Sequence, residues 1–146
     1  MTPEEYKKLV FKRKARKKVI KLPKELKEYG VEPLEARQQI KPLSVNDAWQ
    51  GRRFKTNEYK VYERAVFYNL PKVKIPKPPY LIHYEFGFSN AGSDYDNALK
   101  PLQDILQKRY KFNDNDIWRA IIDKKKVKKG EEYFKVRLEN YGKKIN

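Results

Sequence analysis

Two aspartates lie two residues apart in the segment GSDYDNALKPLQD, which covers residues 92–104. On extended backbone, alternate side chains point the same way, so Asp94 and Asp96 would share one side of the chain. A segment with helical spacing of leucines follows, and a helix N-terminus favours anions through its backbone donors and its macrodipole. Lys100 follows Asp96 by four residues, which places both on one helical face. The pattern is typical of a helix cap or of carboxylate ligands to a metal ion.

A second acidic segment, NDND at residues 113–116, follows this helix and precedes the next strand. We expect Asp114 to return to the same end of the sheet as Asp94 and Asp96. Three carboxylates that converge from two loops can hold one or two divalent ions for phosphodiester hydrolysis. Taken alone, Asp94 or Asp96 is more simply explained as a helix cap, and NDND as a turn. Only the combination favours a metal site.

The composition limits the type of metal site and the type of partner. The chain has 146 residues, no cysteine and one histidine, His83, so we expect an ion that prefers oxygen ligands, Mg²⁺ or Mn²⁺. The net charge of +16 indicates a polyanionic partner, and nucleic acid is favoured. Residues 85–117 carry a balance of −2 within a remainder of +18. Exposed acids repel phosphate unless a cation lies between them, which favours the metal hypothesis.

Several features suggest where the protein works. No stretch approaches the roughly 20 apolar residues that span a bilayer, and the N-terminus MTPEEYKK lacks the apolar region of a secretory signal. The absence of cysteine suits a reducing interior. We therefore expect a cytoplasmic protein that does not associate with a membrane, and binding to DNA in a bacterial host would place it at the nucleoid.

Hydrophobic periodicity predicts a mixed α/β (α+β) fold, with a small mixed sheet and packed helices in the order strand, helix, strand, helix, strand, strand. The strands are expected at residues 38–43, 80–88, 117–127 and 131–139, and the helices at residues 57–70 and 96–109. Thr56 is expected to cap the first helix. Pro101 lacks a backbone donor and is therefore expected near the first turn of the second helix. KKG between the last two strands predicts a hairpin.

We divide the chain into a basic N-terminal arm at residues 1–36 and a domain at residues 37–146. The arm is either a solvated surface helix or a DNA-contacting element that binds phosphates. The arm residues expected to contact DNA are Lys12, Arg13, Lys14, Arg16 and Lys17.

Separate motifs over about residues 38–140 resemble the RusA-type Holliday junction resolvases, which are small dimeric endonucleases often carried by phages and prophages. The motifs are SVNDAW at 44–49, GRRFKT at 51–56, DYDNALK at 94–100, LQDIL at 102–106 and FNDNDI at 112–117. The family usually has two adjacent acids in the last motif, whereas here asparagine separates them. Asp114 is the favoured match, and Asp116 remains the alternative.

The resemblance implies catalytic and metal-binding roles for Asp94, Asp96 and Asp114, and an essential role for Lys100, which would orient the acids or offset their repulsion. Asn46 and Asn97 would support the site, although capping explains Asn97 more simply. The basic loop with Arg52, Arg53 and Lys55 would contact DNA. Asp104 more simply pairs with Lys100 or Lys108.

The implied function is Mg²⁺-dependent cleavage of four-way (Holliday) or branched DNA junctions by paired phosphodiester hydrolysis, in DNA recombination and repair. Paired incisions in a junction with approximate two-fold symmetry favour a homodimer. The alternatives are a non-catalytic basic nucleic-acid-binding protein, a partner-inhibiting protein on the same fold, and a flap or nicking nuclease.

Overall fold

The computed structural model describes residues 2–5, 29–51 and 54–142. Its strands are β1 (Leu34–Gln38), β2 (Trp49–Gln50), β3 (Phe54–Lys55), β4 (Tyr80–Phe88), β5 (Ile117–Lys126) and β6 (Tyr133–Asn140). The longer helices are α1 (Asn57–Asn69) and α2 (Tyr95–Tyr110), and short 3-10 turns lie at Val45–Asp47 and Asp114–Asp116. The fold is mixed α+β, as the periodicity predicts.

The main sheet has the strand order β1-β6-β4-β5, and β2 pairs with β3 in a separate short ribbon. β6 pairs antiparallel with both β1 and β4, whereas β4 and β5 run parallel. The expectation that the strands beginning near residues 80, 117 and 131 share one sheet is confirmed. β4 is central and nearly fully buried, which matches its high content of aromatic and aliphatic residues.

Both longer helices cover one face of this sheet. Along β4, alternate side chains such as Tyr84 and Phe86 point to that face and are completely buried. α2 packs Leu102 and Leu106 against them, as its leucine spacing predicts, while α1 contributes Val66. Burying one such side chain stabilises the fold by about 1.5–3 kcal/mol relative to exposure. The core therefore holds α2 against the sheet.

The opposite face of the sheet is open and carries a ladder of charged pairs. Glu85 of β4 accepts a hydrogen bond from the Tyr133 hydroxyl at 2.7 Å and pairs with Lys125 at 3.1 Å. The hydrogen bond from Tyr133, aided by Lys125, holds the pKa of Glu85 below its usual value. The Tyr133 ring lies so close to Gly87 that a Cβ there would overlap it. The charge of Glu85 is thus compensated by its neighbours on this sheet.

Three local expectations are confirmed. Thr56 caps α1, since its hydroxyl oxygen accepts a hydrogen bond from the Tyr59 amide at 3.1 Å. β4 occupies residues 80–88, as expected. α2 extends one residue further at each end than the 96–109 range.

The strand expected at residues 38–43 is wrong. The strand is Leu34–Gln38, and the following residues are irregular. Ile40 and Leu43 still pack against the core, so their hydrophobicity reflects burial of a loop. Pro42 has no amide to donate to a ladder, which is why the strand does not continue through it. β1 crosses the boundary predicted between residues 36 and 37.

The hairpin expected between the last two strands is also wrong. A turn forms there, with Gly130 at φ +93°, but β6 pairs with β4 and β5 lies on the other side of β4. β6 buries Phe134, Val136 and Leu138 and so fits a central position. The charged end of β5 suits an edge.

Pro101 was expected near the first turn of α2. It lies in the second turn instead. α2 begins at Tyr95, so Pro101 is its seventh residue, and its side chain is buried in the core. Because proline has no N–H, the Asn97 carbonyl lacks the helical donor that residue 101 would otherwise supply. Burial of the ring offsets part of that loss.

Candidate functional site

Asp94 stands at the N-cap position of α2, but its side chain does not act as a cap. Its carboxylate accepts no hydrogen bond from the helix backbone. Ser44 and Thr56, at the same position in their own elements, each accept one from the backbone, at 3.2 and 3.1 Å. The capping explanation therefore fits Ser44 and Thr56 and fails for Asp94, whose exposed carboxylate is available to a ligand.

Asn97 connects the two acids at this helix end. Its side-chain amide donates to Asp94 Oδ2 at 3.5 Å, and its backbone N–H donates to Asp96 Oδ1 at 3.0 Å. As the third residue of the helix, Asn97 is not the cap that its residue type suggested. Its two N–H groups thus contact both carboxylates, although only Asp94 of the two lines the cleft at this helix end.

A cleft of about 480 Å³ opens beside this helix end. Its lining includes Ser44 and Asn46 from the SVNDAW motif together with Asp94 and Asn97 from the DYDNALK motif. Lys41 contributes a cation to the same cleft. Two segments that are far apart in sequence, and that carry the resemblance independently, thus meet in one place.

Two further acids in the cleft, Asp47 and Glu58, were missed from the sequence. Both line it together with Asp94. Asp47 directly follows Asn46, and that adjacency was the available signal. Glu58 lies in the first turn of α1. An acid there is explained by its favourable interaction with the helix dipole, so the sequence carried no sign of a further role.

Asp114 lies at the opposite end of α2 from Asp94. α2 has 16 residues and is therefore about 24 Å long. Asp94 follows the last residue of β4, whereas Ile117, just after the acidic turn, pairs with Tyr80, the first residue of β4. The expectation that Asp114 returns to the same end of the sheet is wrong, because β5 runs parallel to β4.

The two acids of the NDND turn differ in their surroundings. Asp116 accepts a hydrogen bond from the Asn113 backbone N–H at 3.4 Å in a reciprocal cap of the 3-10 turn. Asp114 is exposed, and its carboxylate has no hydrogen bond or ion pair within the described residues. The side chain of Asp116 thus has a local structural role, while the side chain of Asp114 has none.

The described part of one chain contains no cluster of three or more His, Cys, Asp or Glu side chains that could hold a metal ion. Asp94 and Asp96 supply oxygen ligands of the kind that Mg²⁺ prefers, but a third carboxylate does not reach them. The expected set of three acids therefore does not fit a metal site within a single chain.

Lys100 forms an i,i+4 ion pair with Asp104 at 3.3 Å. This confirms the expected partner of Asp104. No ion pair joins Lys100 to Asp94 or Asp96 in the described residues. Because Lys100 is largely exposed, its contact with Asp104 contributes little to stability.

Of the residues expected to contact DNA, only Lys55 is described. It pairs with Glu63 at 2.9 Å, and Lys108 pairs with the same carboxylate at 3.2 Å. Burial works to raise the pKa of Glu63, but the hydrogen bonds from these two lysines outweigh it and hold the pKa below its usual value. Arg52, Arg53 and the arm residues Lys12, Arg13, Lys14, Arg16 and Lys17 lie outside the described residues.

Lys124 holds the loop that precedes Asp94. It is the first of three consecutive lysines, and the sequence contained no signal that one of them had this role. Its ammonium group donates to the carbonyl oxygens of Ala91, at 2.8 Å, and Ser93. The Val127 N–H donates to the Phe88 carbonyl at 2.8 Å where the loop leaves β4. The C-terminal end of β5 thus holds in place the loop that leads to Asp94.

Lys124→Met is expected to loosen this loop, because methionine keeps the aliphatic stem and removes the three donors. Hydrogen exchange at the amides of residues 91–94 should accelerate several-fold, while exchange in β4 and β6 stays unchanged. Lys126→Met, a neighbouring exposed lysine, is the matched control and should leave the loop as it is. Equal exchange in both variants would show that Lys124 does not restrain the loop.

No protein-family model matches the chain, and no curated protein matches it. Within the described residues, no helix is long and apolar enough to cross a membrane. What this chain does is therefore inferred from the residues and their geometry.

Proposed function

We propose that the chain is a Mg²⁺-dependent, structure-specific endonuclease that cleaves four-way or branched DNA junctions, similar to the RusA-type resolvases. One observation carries the proposal: the cleft beside α2 joins Ser44 and Asn46 to an Asp94 carboxylate that the helix does not use as a cap. A capping role does not account for Asp94, because its carboxylate accepts no hydrogen bond from the helix backbone. DNA recombination and repair in a bacterial cytoplasm would be its setting.

The charge distribution supports a phosphodiester substrate. The chain as a whole has a net charge of +16, but three acids line the cleft: Asp47, Glu58 and Asp94. A surface that only bound phosphate would place bases there, since each exposed acid repels the backbone. Acids at the point of contact are favourable when a divalent ion lies between them and the phosphate.

The metal would be held by Asp94 and Asp96 of one chain and by Asp114 of a second copy. Asp114 lies a helix length from the other two in its own chain, so its carboxylate would reach them only from another molecule. In a two-fold dimer the exchange is reciprocal, and two identical sites result. Two sites also suit paired incisions in a four-way junction.

When bound, the metal would supply an activated water and a positive charge for the leaving oxygen. The chain's own residues position the reactants. Asn97 orients the carboxylates of Asp94 and Asp96, and Lys124 restrains the loop that precedes them. Lys41 and Asn46 line the cleft and offer donors to a phosphate that enters it.

The competing function is a non-catalytic basic protein that binds nucleic acid or inhibits a partner. It gains some support from Asp116, which caps a turn, and from Asp104, which pairs with Lys100. Such a protein would need no divalent ion and would keep its DNA affinity when Asp94 is changed. Those two consequences separate it from the endonuclease.

The experiment compares a synthetic four-way junction, a fork and a linear duplex of the same sequence, each incubated with the protein in Mg²⁺ or in chelator. We expect incision of the junction in Mg²⁺, weaker or no incision of linear duplex, and binding without incision in chelator. A preference for the fork would indicate a flap or nicking nuclease instead. Binding to all three without incision in Mg²⁺ or Mn²⁺ would favour the non-catalytic alternative.

A further inference from the structure

The segment that joins β5 to β6 presents three lysines without counterions. Residues 126–131, KVKKGE, form this segment, which we call the lysine turn. Lys126, Lys128 and Lys129 are all exposed, and their ammonium groups make no ion pair or hydrogen bond within the described part of the chain. Cations that have no internal partner are available to an anion from outside the molecule.

The three lysines line one open pocket of about 640 Å³, together with Ser89, Val127 and Glu131. Three lysines against one glutamate leave the lining with a net charge of +2. Sites for small molecules enclose most of the ligand, whereas the charged groups of this pocket are exposed. The pocket therefore suits a chain of phosphates that passes over it.

Glu132 holds the lysine turn in shape from within. The Gly130 N–H donates to both carboxylate oxygens of Glu132 at 3.1 Å, and the Glu131 N–H donates to the Lys128 carbonyl at 2.9 Å. Glu132 is nearly buried, and hydrogen bonds from Gly130 and Ser89 hold the pKa of its carboxyl below the usual value. Because the turn is ordered before any ligand arrives, binding costs less conformational entropy.

The lysine turn lies beside the loop that leads to Asp94. The Val127 N–H donates to the Phe88 carbonyl at 2.8 Å where that loop leaves β4. Lys126 pairs in register with Phe88, so its side chain points to the face of the sheet that α2 covers. Phe88 lines the cleft and the next residue, Ser89, lines the pocket. The two cavities are therefore neighbours.

We propose that the lysine turn is a preformed phosphate-binding site that holds the DNA backbone next to the cleft. A strand that enters the cleft continues over Ser89, where Lys126, Lys128 and Lys129 neutralise its neighbouring phosphates. The acids of the cleft accept a phosphate only across a metal ion, whereas the lysine turn binds phosphate without one. That the anion is DNA rests on the function proposed above.

The salt dependence of binding tests this site. Lys128→Gln combined with Lys129→Gln should lower the slope of log affinity against log salt concentration by about two, because each lysine that meets a phosphate releases about one counterion. The measurement is the fluorescence anisotropy of a labelled four-way junction, titrated in chelator at several salt concentrations. Lys128→Arg combined with Lys129→Arg keeps both charges and should keep the wild-type slope.

Lys72→Gln combined with Lys77→Gln is the matched control. Both lysines are exposed and precede Tyr80, the first residue of β4, so they lie towards the opposite end of that strand from the lysine turn. This variant removes the same charge and should leave the slope close to that of the wild type. An equal fall in slope for the two double variants would show that only the net charge matters, which overturns the proposal.

Glu132→Ala separates the shape of the turn from its charge. Removal of an acid strengthens DNA binding if charge alone decides, but here it also removes the acceptor that organises the turn. We therefore expect weaker binding to the junction in chelator, with far-ultraviolet circular dichroism to check the fold. Glu131→Ala is the control, since it removes an exposed acid of the same pocket and should strengthen binding. Stronger binding by both variants would overturn a preformed site.

The outcomes are separable from those of the proposed function, because all these titrations are made in chelator and do not depend on incision. A protein that shows the expected slopes but cuts no junction in Mg²⁺ would uphold the site and count against the endonuclease. A protein that cuts junctions and keeps its slope in the Lys128→Gln and Lys129→Gln variant would overturn the site alone. Unchanged junction binding by this variant, with loss of binding to phosphatidylserine vesicles, would assign the turn to a membrane surface and also overturn the proposal.

Discussion

Replacing Asp94 or Asp96 by asparagine is expected to lower junction cleavage by orders of magnitude and to leave binding intact or stronger. A carboxylate that holds the metal acts in the transition state, so its loss appears in the rate of incision. The same carboxylate repels the phosphate when no metal is present. Neutralising it should therefore maintain or raise the affinity for a junction measured by gel shift in chelator.

Asp104→Asn is the matched control for this pair of variants. Asp104 is a carboxylate about two turns further along the same helix, where its partner is Lys100. Its variant should cleave at close to the wild-type rate. Near-normal cleavage by both Asp94→Asn and Asp96→Asn would remove the basis for a metal site at this helix end.

Much of the fold could be predicted because it depends on local periodicity. The alternating residues of β4, the leucine stripe of α2 and the Thr56 cap are each encoded within one segment. Strand partners are not encoded in that way. β6 takes the place beside β4 because its buried residues fit a central position, and the KKG turn alone suggested the wrong neighbour.

The candidate site could be predicted only in part for the same reason. Asp94, Asp96 and Asn97 are neighbours in sequence and remain neighbours in space. The position of Asp114 depends on whether β5 runs parallel or antiparallel to β4, which its residues do not reveal. Glu58 enters the cleft through the packing of α1, a tertiary arrangement with no local signal.

Mixing two inactive variants is expected to restore activity. In a dimer of one Asp94→Asn chain and one Asp114→Asn chain, one site combines the intact Asp94 of one copy with the intact Asp114 of the other. The second site carries both substitutions. If the chains exchange at random in an equal mixture, half of the dimers have one intact site, so about a quarter of the wild-type number of sites is restored. Nicking of a junction should recover to that extent.

Recovery of cleavage should depend on which variant is mixed with Asp94→Asn. Mixing Asp94→Asn with Asp96→Asn should restore nothing, because both acids come from the same chain and every site remains defective. The variants are co-refolded so that their subunits exchange, and nicks are counted on end-labelled strands. Failure of Asp94→Asn and Asp114→Asn to complement, with both inactive alone, would show that Asp114 does not complete the site from a second copy.

We propose that this cleft hydrolyses phosphodiester bonds at DNA junctions with the help of a divalent ion. The most direct measurement is denaturing-gel analysis of an end-labelled four-way junction incubated with the wild-type protein in Mg²⁺, with a parallel sample in chelator. If the protein is this endonuclease, we expect symmetric incisions in two opposing strands near the branch point. These incisions should appear in the Mg²⁺ sample and not in the chelator sample. Intact strands in Mg²⁺ and in Mn²⁺, at protein concentrations that fully bind the junction, would contradict it.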